Sequence, residues 1–288
     1  MFPQRWPSWV CNAVSKCRRK RERRDQGPGA FFIAATLRGI RHAVTLRQQL
    51  PVVRRRDRCA AVDHILAAHH RLDVVVNNAG MLMAGLTEAF SAEQVARIID
   101  TNAISWLRVN RVALPSMRRQ GNGLLMYVGS TTSQLHEPFI GPYVASKAAG
   151  DALAEIMGME IRPFGIDSVI LVPGAFTSGT EHFAELPAPA YPAITQQYGE
   201  LAKRIETLGD RLHAIDIANG GPLDVSAVGL AAVEVLAMPP GRRPLRMFID
   251  GQRKGTEAIE EISHEKQDSF LRKMGLEDLA FPAPLTKD

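Results

Sequence analysis

From residue 62 onward the chain alternates short, almost uninterrupted apolar runs with longer amphipathic stretches. The run Leu72 to Val76 is rich in β-branched residues and ends in Asn77, Asn78, Ala79 and Gly80. That pattern predicts a parallel strand buried on both faces. Val62 to His70, just before it, reads as the end of a helix. Residues 91 to about 119 read as one long helix, with Ser91 as N-cap and Gln94 three residues later in capping-box spacing. Gly123 to Gly129 is the next strand, and Tyr143 to Ile161 the next helix, which stops where Arg162 precedes Pro163. Ile166 to Val172 forms a further strand, closed by Pro173 and Gly174. Residues 224–238 then predict a helix, 244–250 a last strand and 256–274 a charged terminal helix. Alternation of this kind predicts an α/β chain, a doubly wound parallel sheet covered by helices on both faces.

Two stretches break the pattern. The segment of about 175–223, with prolines at 187, 189 and 192, lies between a strand end and the next helix. It follows the strand end where open α/β sheets bind ligands, which makes it a lid candidate, the alternative being a wandering surface loop. Residues 1–60 carry Arg-rich material, Gly27-Pro28-Gly29, one apolar patch from Ala30 to Leu37, and Arg54, Arg55 and Arg56.

Charge and cysteine follow the same division. Residues 1–60 hold 15 Lys and Arg against 3 Asp and Glu, whereas residues 61–288 have a net charge of −7. Cys11, Cys17 and Cys59 all fall in the first part with no paired spacing, which argues against a zinc site or a disulfide framework. Their absence from 61–288 fits a reducing compartment, and hence a cytoplasmic protein. No apolar run is long enough for a membrane span, and the first residues lack the apolar core of a secretory signal. The basic cluster from Lys16 to Arg24 reads as a solvated charge run more readily than as a nucleic-acid-binding arm.

The candidate chemistry sits on the predicted helix at 143–161. Tyr143 and Lys147 are four residues apart and so project from one face. An ammonium beside a phenol favours the phenolate, and such a tyrosine can exchange a proton with a carbonyl or hydroxyl oxygen. Alone, the pair is equally a surface tyrosine beside a solvated lysine. Around it, however, Ser130 ends a buried strand, Asn102 lies in the preceding long helix, Asn77 to Gly80 ends one strand and Pro173-Gly174 another.

Together these motifs resemble the short-chain dehydrogenase/reductase family over about residues 62–275. The resemblance implies a Rossmann-like fold and an NAD(P)-dependent oxidoreductase that interconverts a carbonyl and an alcohol. It implies a catalytic set of Asn102, Ser130, Tyr143 and Lys147. Tyr143 would be the general acid/base, and Lys147 would lower its pKa and hold the nicotinamide ribose. Ser130 would bind the substrate oxygen, and Asn102 would anchor a water leading from Lys147. Asn78, Ala79 and Gly80 would pass the adenosine ribose. Pro173, Gly174 and Phe176, with the hydroxyl of Thr177 or Ser178, would flank the nicotinamide. The cofactor is NAD or NADP, the partner a small-molecule carbonyl or alcohol, and the assembly a homodimer or homotetramer; no metal is expected. Phe139, Phe176, Phe183 and Tyr191 suggest a partly apolar substrate, or core and lid packing.

The family's glycine-rich loop after the first strand is not found, because Gly27-Pro28-Gly29 lacks the spacing. The N-terminal β-α-β portion therefore reads as degenerate or missing. A shifted reading frame or misplaced start before Val62, a cofactor-impaired relative, a basic arm and an unrecognised loop all accommodate residues 1–60. On this reading the strand at 73–76 exposes an unpaired edge, and the chain is poorly soluble and binds cofactor weakly. The alternative function is a non-catalytic relative that acts as a binding or structural protein.

Overall fold

A computed structural model of the chain describes residues 30–35, 43–48, 55–177, 179–180 and 186–285. In chain order the elements are β1 (Ala30–Ala35), β2 (Ala43–Gln48), α1 (Arg55–His69), β3 (Val74–Asn77), α2 (Ala92–Ile99), α3 (Ser105–Gln120), β4 (Gly123–Val128) and α4 (Gly141–Ile161). There follow β5 (Ile166–Pro173), α5 (Pro192–Gln197), α6 (Glu200–Lys203), α7 (Leu208–Ala218), α8 (Ser226–Ala237), β6 (Arg246–Ile249) and α9 (Thr256–Met274).

The strands form one sheet in the order β2-β1-β3-β4-β5-β6. β3 to β6 run parallel, as expected of apolar strands that bury both faces. Alternate residues feed two cores. Val75, Leu125, Tyr127 and Ile170 face α1, α3 and α4, where Trp106, Met117 and Ile161 pack. Val74, Leu124, Met126 and Leu171 face α8 through Ala231 and Val235. The chain is thus Rossmann-like from β3 onward.

The N-terminal part departs from a parallel sheet. β1 runs antiparallel to both β2 and β3, with Phe32 opposite Asn77 and Ala35 opposite Val74. The expected exposed edge on β3 is therefore covered. An apolar run such as Phe31-Phe32-Ile33 can complete the ladder in either direction, because antiparallel pairing satisfies the same backbone groups. Direction matters for function, however. β1 ends beside Val74, at the opposite end of the sheet from Asn77, so the chain leaving it does not start at the edge where the parallel strands finish. β2 ends beside Ala30 at the Asn77 edge and, through α1, reaches β3. That strand is absent from the sequence reading because AVTLRQ alternates only weakly between arginines.

Two further expectations are refined. Ser91 does cap α2, with the full capping box formed through Gln94. Yet the long helix read over 91–119 is interrupted by a π-helical turn at Asp100–Ile104, between α2 and α3. Such single π turns widen a helix locally and are frequent at functional sites. The region read as a lid carries α5, α6 and α7.

Candidate active site

β3, β4 and β5 end on one side of the sheet, and the residues that follow them line a common edge, the usual ligand edge of open α/β sheets. α4 begins against that edge and brings Tyr143 and Lys147 to it from one helical face, both buried. Ser130 follows β4 and caps a short 3-10 turn at Thr131–Ser133. Its Oγ accepts from the backbone N–H of Thr132 at 3.2 Å and from Thr132 Oγ1 at 2.9 Å. Its own hydroxyl proton is thereby aimed elsewhere, and a side-chain hydrogen bond joins Ser130 to the Tyr143 phenol.

Burial dominates the electrostatics of both groups. Burial pushes the Tyr143 phenol up to about 12; the Ser130 hydrogen bond works against this and the charge of Glu137 adds to it. Lys147 is drawn down to about 8, also by burial, against the opposing charge of Asp151. Its Nζ donates to the Val128 carbonyl at 2.8 Å and stands 5.7 Å from the centre of the Tyr143 ring and 5.9 Å from the Trp106 ring. The ammonium thus stands near a phenol whose net shift is dominated by burial.

Asn102 sits fully buried within the π turn. Its Oδ1 accepts from the Met81 N–H at 2.8 Å, while its Nδ2 donates to the Met81 carbonyl at 2.9 Å and to Ser146 Oγ at 2.8 Å. Ser146 in turn donates to the Tyr143 carbonyl at 2.7 Å. The Asn102 side chain therefore ties the loop after β3 to the first turn of α4. Sequence reasoning overlooked Ser146, although its place three residues after Tyr143 puts it near the same helix face.

Of the expected cofactor segment, Asn78 is exposed, Ala79 buried and Gly80 half-buried. A Cβ on Gly80 would lie 3.5 Å from Asn102 Oδ1 and 3.8 Å from Lys147 Nζ, so this backbone flanks the catalytic candidates directly. Beyond β5, Pro173 and Gly174 lead into Ala175, which Gln252 grips through both backbone groups: Ala175 N–H donates to Oε1 at 2.8 Å, and Nε2 donates to the Ala175 carbonyl at 2.8 Å. Gly174 has no room for a side chain, because a Cβ would collide with Asp250 and Gln252. Phe176 packs on the core beneath α8. Thr177 Oγ1 donates to Asp216 Oδ2 at 2.8 Å and lies 3.2 Å from His213 Nδ1, both on α7. Gln252 Nε2 also donates to Asp216, which is buried. Neither Gln252 nor Asp216 stood out in the sequence, since nothing local marks an isolated Gln or Asp as a clamp. Ser178 and Phe183 lie outside the described residues. Tyr191 is exposed, and its N–H donates to the Ala89 carbonyl at 2.9 Å. Phe139 adopts a left-handed φ of 68°, unusual for an aromatic residue, and accepts from the Gly85 N–H at 2.7 Å.

A protein-family model described as short chain dehydrogenase matches residues 33–188. The chain belongs to the short chain dehydrogenase family. Among curated members it is 33% identical over 119 residues to 3-ketodihydrosphingosine reductase of Bacteroides thetaiotaomicron, covering 41% of this chain and 44% of the relative. It is 36% identical over 96 residues to human 17-beta-hydroxysteroid dehydrogenase type 1, covering 33% of this chain and 29% of the relative. The chain thus spans less than half the length of these relatives. A short-chain dehydrogenase structure from Streptomyces avermitilis superposes with a TM-score of 0.55 at 25% identity, covering 79% of this chain and 78% of the other. An alcohol dehydrogenase from Thermococcus sibiricus, complexed with 5-hydroxy-NADP, shares the fold with a TM-score of 0.52 at 22% identity, covering 70% of this chain and 72% of the other. Within this short chain dehydrogenase, no helix among the described residues is long and apolar enough to cross a membrane. The described residues likewise hold no group of three or more His, Cys, Asp or Glu placed to bind a metal ion.

Proposed function

We propose that the chain is an NAD(P)-dependent oxidoreductase that interconverts a carbonyl and an alcohol, with Tyr143 as the general acid/base. The observation that carries this reading is the buried cluster of Tyr143, Ser130 and Lys147 at the strand ends. The residues fit the nicotinamide-ribose end of the cofactor. Lys147 keeps protons beyond the one given to Val128, and Gly80 leaves backbone open beside it. Lys147 and Tyr143 would hold the ribose, Pro173, Gly174 and Phe176 would flank the nicotinamide, and Asn78, Ala79 and Gly80 would pass the adenosine side. When bound, the nicotinamide supplies or accepts hydride at the substrate carbon.

Tyr143 moves the proton. A phenol near 12 holds its proton at neutral pH and is ready to donate it to a carbonyl oxygen as that oxygen gains charge. Ser130 donates to the same oxygen and lends it electrostatic support. Lys147 would act on the phenol through its charge, and Asn102 holds the surrounding loop and helix in place. The relatives' names point to extended apolar carbonyl compounds as a substrate class.

The same reading takes residues 61–288 as the catalytic unit, places the protein in the cytoplasm and makes it a homodimer or homotetramer. Exposed Leu153 and Ile156 on the helix at 141–161, with Ile104 in the π turn just before the helix at 105–120, support pairing through these two helices. Fluorescence titration of NADH and NADPH against the full chain tests the cofactor reading. Saturable binding below millimolar concentration, weakened in Lys147→Met, is expected; no binding of either up to about millimolar would overturn it.

A further inference from the structure

Tyr143, Lys147 and Asp151 lie at i, i+4 and i+8 of α4, so all three share the face turned towards the strand ends, and all three are buried. The first two are absorbed by the proposed chemistry; Asp151 is not. Its Oδ2 accepts from Ser133 Oγ at 2.8 Å and from Arg246 Nε at 3.5 Å. Its Oδ1 is buried without a hydrogen-bond partner and lies 3.1 Å from where a Cβ on Gly129 would be. Gly129 follows Val128, whose carbonyl receives Lys147 Nζ. The unpartnered carboxylate oxygen and the ammonium, one helical turn apart on α4, therefore reach adjacent residues at the end of β4, Gly129 and Val128 respectively. A buried carboxylate oxygen without a donor is costly, and a nearby cation is what offsets that cost.

We propose that Asp151 is the counter-charge that keeps Lys147 an ammonium, held in place by Arg246, and so a positioning residue that acts through Lys147; this rests on the role given to Lys147 above. The charged surroundings of the pair agree. On α4 itself Lys147 meets Tyr143 and Asp151; from α3 it meets the Trp106 ring and from β4 only a carbonyl. Asp151 meets Arg246 from β6 and Ser133 from the turn after β4. Arg246 also binds Glu155 of α4 at 2.8 Å and Glu260 of α9 at 2.7 Å. Three carboxylates thus share one guanidinium, so Arg246 alone does not balance the group, and Asp151 is the member whose charge acts on Lys147. Glu137, which acts on Tyr143, is already paired with Lys254 at 2.6 Å. Burial raises Asp151 while Arg246 and Lys147 pull it back, and Asp151 is the charge that raises Lys147 against its own desolvation.

The test follows Lys147 by NMR in the full chain carrying 13Cε-lysine, the signal being assigned by its loss in Lys147→Met. Asp151→Asn is isosteric and keeps an acceptor for Ser133. It is expected to lower the Lys147 midpoint by about one pH unit or more. Asp151→Glu restores the charge and returns the midpoint towards the unaltered value, whereas Glu155→Gln, which leaves Asp151 in place, moves it less than Asp151→Asn does. A midpoint in Asp151→Asn within about 0.3 unit of the unaltered chain overturns the proposal. Should Asp151→Asn fail to fold, the coupling is read from the other side, because it is reciprocal. In Lys147→Met the 13C-labelled Asp151 carboxyl must titrate at higher pH, and an unmoved carboxyl overturns the proposal. Coupling without nicotinamide-dependent turnover would sink the functional reading and leave the pair standing; turnover without coupling would do the reverse.

Discussion

Removing the Asn102 side chain should cost more stability than any other single truncation at this edge. The side chain is fully buried and makes three hydrogen bonds, two of them to the backbone of Met81 and one to Ser146. Asn102→Ala leaves the Met81 N–H and C=O without those partners in the interior. Each buried group stranded in this way costs about 1–3 kcal/mol, and a water entering the vacated space recovers part of that. A net loss of about 3 kcal/mol follows, a large share of a typical stability of roughly 5–15 kcal/mol. In a chain of this size it corresponds to a melting temperature lower by roughly 5–10 °C. Asn102→Asp is a sharper probe: it keeps the acceptor for the Met81 N–H but sets an oxygen against the Met81 carbonyl and Ser146. Urea unfolding followed by circular dichroism should show a lower midpoint in both variants with an unchanged denaturant slope. A loss below about 0.5 kcal/mol in Asn102→Ala would refute the argument, because it would mean the Met81 groups are satisfied without this side chain.

Further outcomes follow from the same geometry. Lys147 has a folded midpoint near 8, below its ordinary 10.5, so between those values the unfolded chain binds more protons and stability should rise with pH. Denaturant titrations from pH 7.5 to 10 should show that rise in the unaltered chain and not in Lys147→Met; equal pH dependence in both would contradict the burial of Lys147. Above about 10 the raised phenol of Tyr143 acts in the opposite sense, so the comparison stops there. Asp216→Ala removes the acceptor shared by Thr177 and Gln252 and so frees α7 from the chain after β5. Limited proteolysis should cut between 186 and 221 several-fold faster in that variant, and unchanged cleavage would show that the clamp does not hold this segment.

Much of this architecture is legible in the sequence from residue 62. The apolar runs at 72–76, 123–129 and 166–172 are strands because residues buried on both faces leave no polar alternation, and that signal is hard to mistake. The capping box at Ser91 and the spacing of Tyr143 and Lys147 are equally local. What escaped depends on partners distant in sequence. The direction of β1 is set by its neighbours in the sheet, and β2 carries too weak an alternation to stand out. The π turn carries Asn102, whose side chain bonds to Met81, 21 residues earlier, a partner that no local pattern reveals. The depth of burial of Tyr143 and Lys147 was not legible for a related reason: helical spacing shows that an ammonium is near, but only the packed structure shows how far both groups are withdrawn from water. Gln252 bonds to Asp216, 36 residues away, and to Ala175, 77 residues away, which no motif encodes.

The central claim is that Tyr143 delivers the proton in nicotinamide-dependent carbonyl reduction. It is tested most directly by the loss of reduced-nicotinamide absorbance with NADH and with NADPH over a panel of apolar ketones and aldehydes, in the unaltered chain and in Tyr143→Phe. The account predicts carbonyl-dependent consumption by the unaltered chain with one of the two cofactors, and a rate at least about 10²-fold lower in Tyr143→Phe with its melting temperature preserved. Consumption at the same rate in both proteins, or none with either cofactor at saturation, would contradict it.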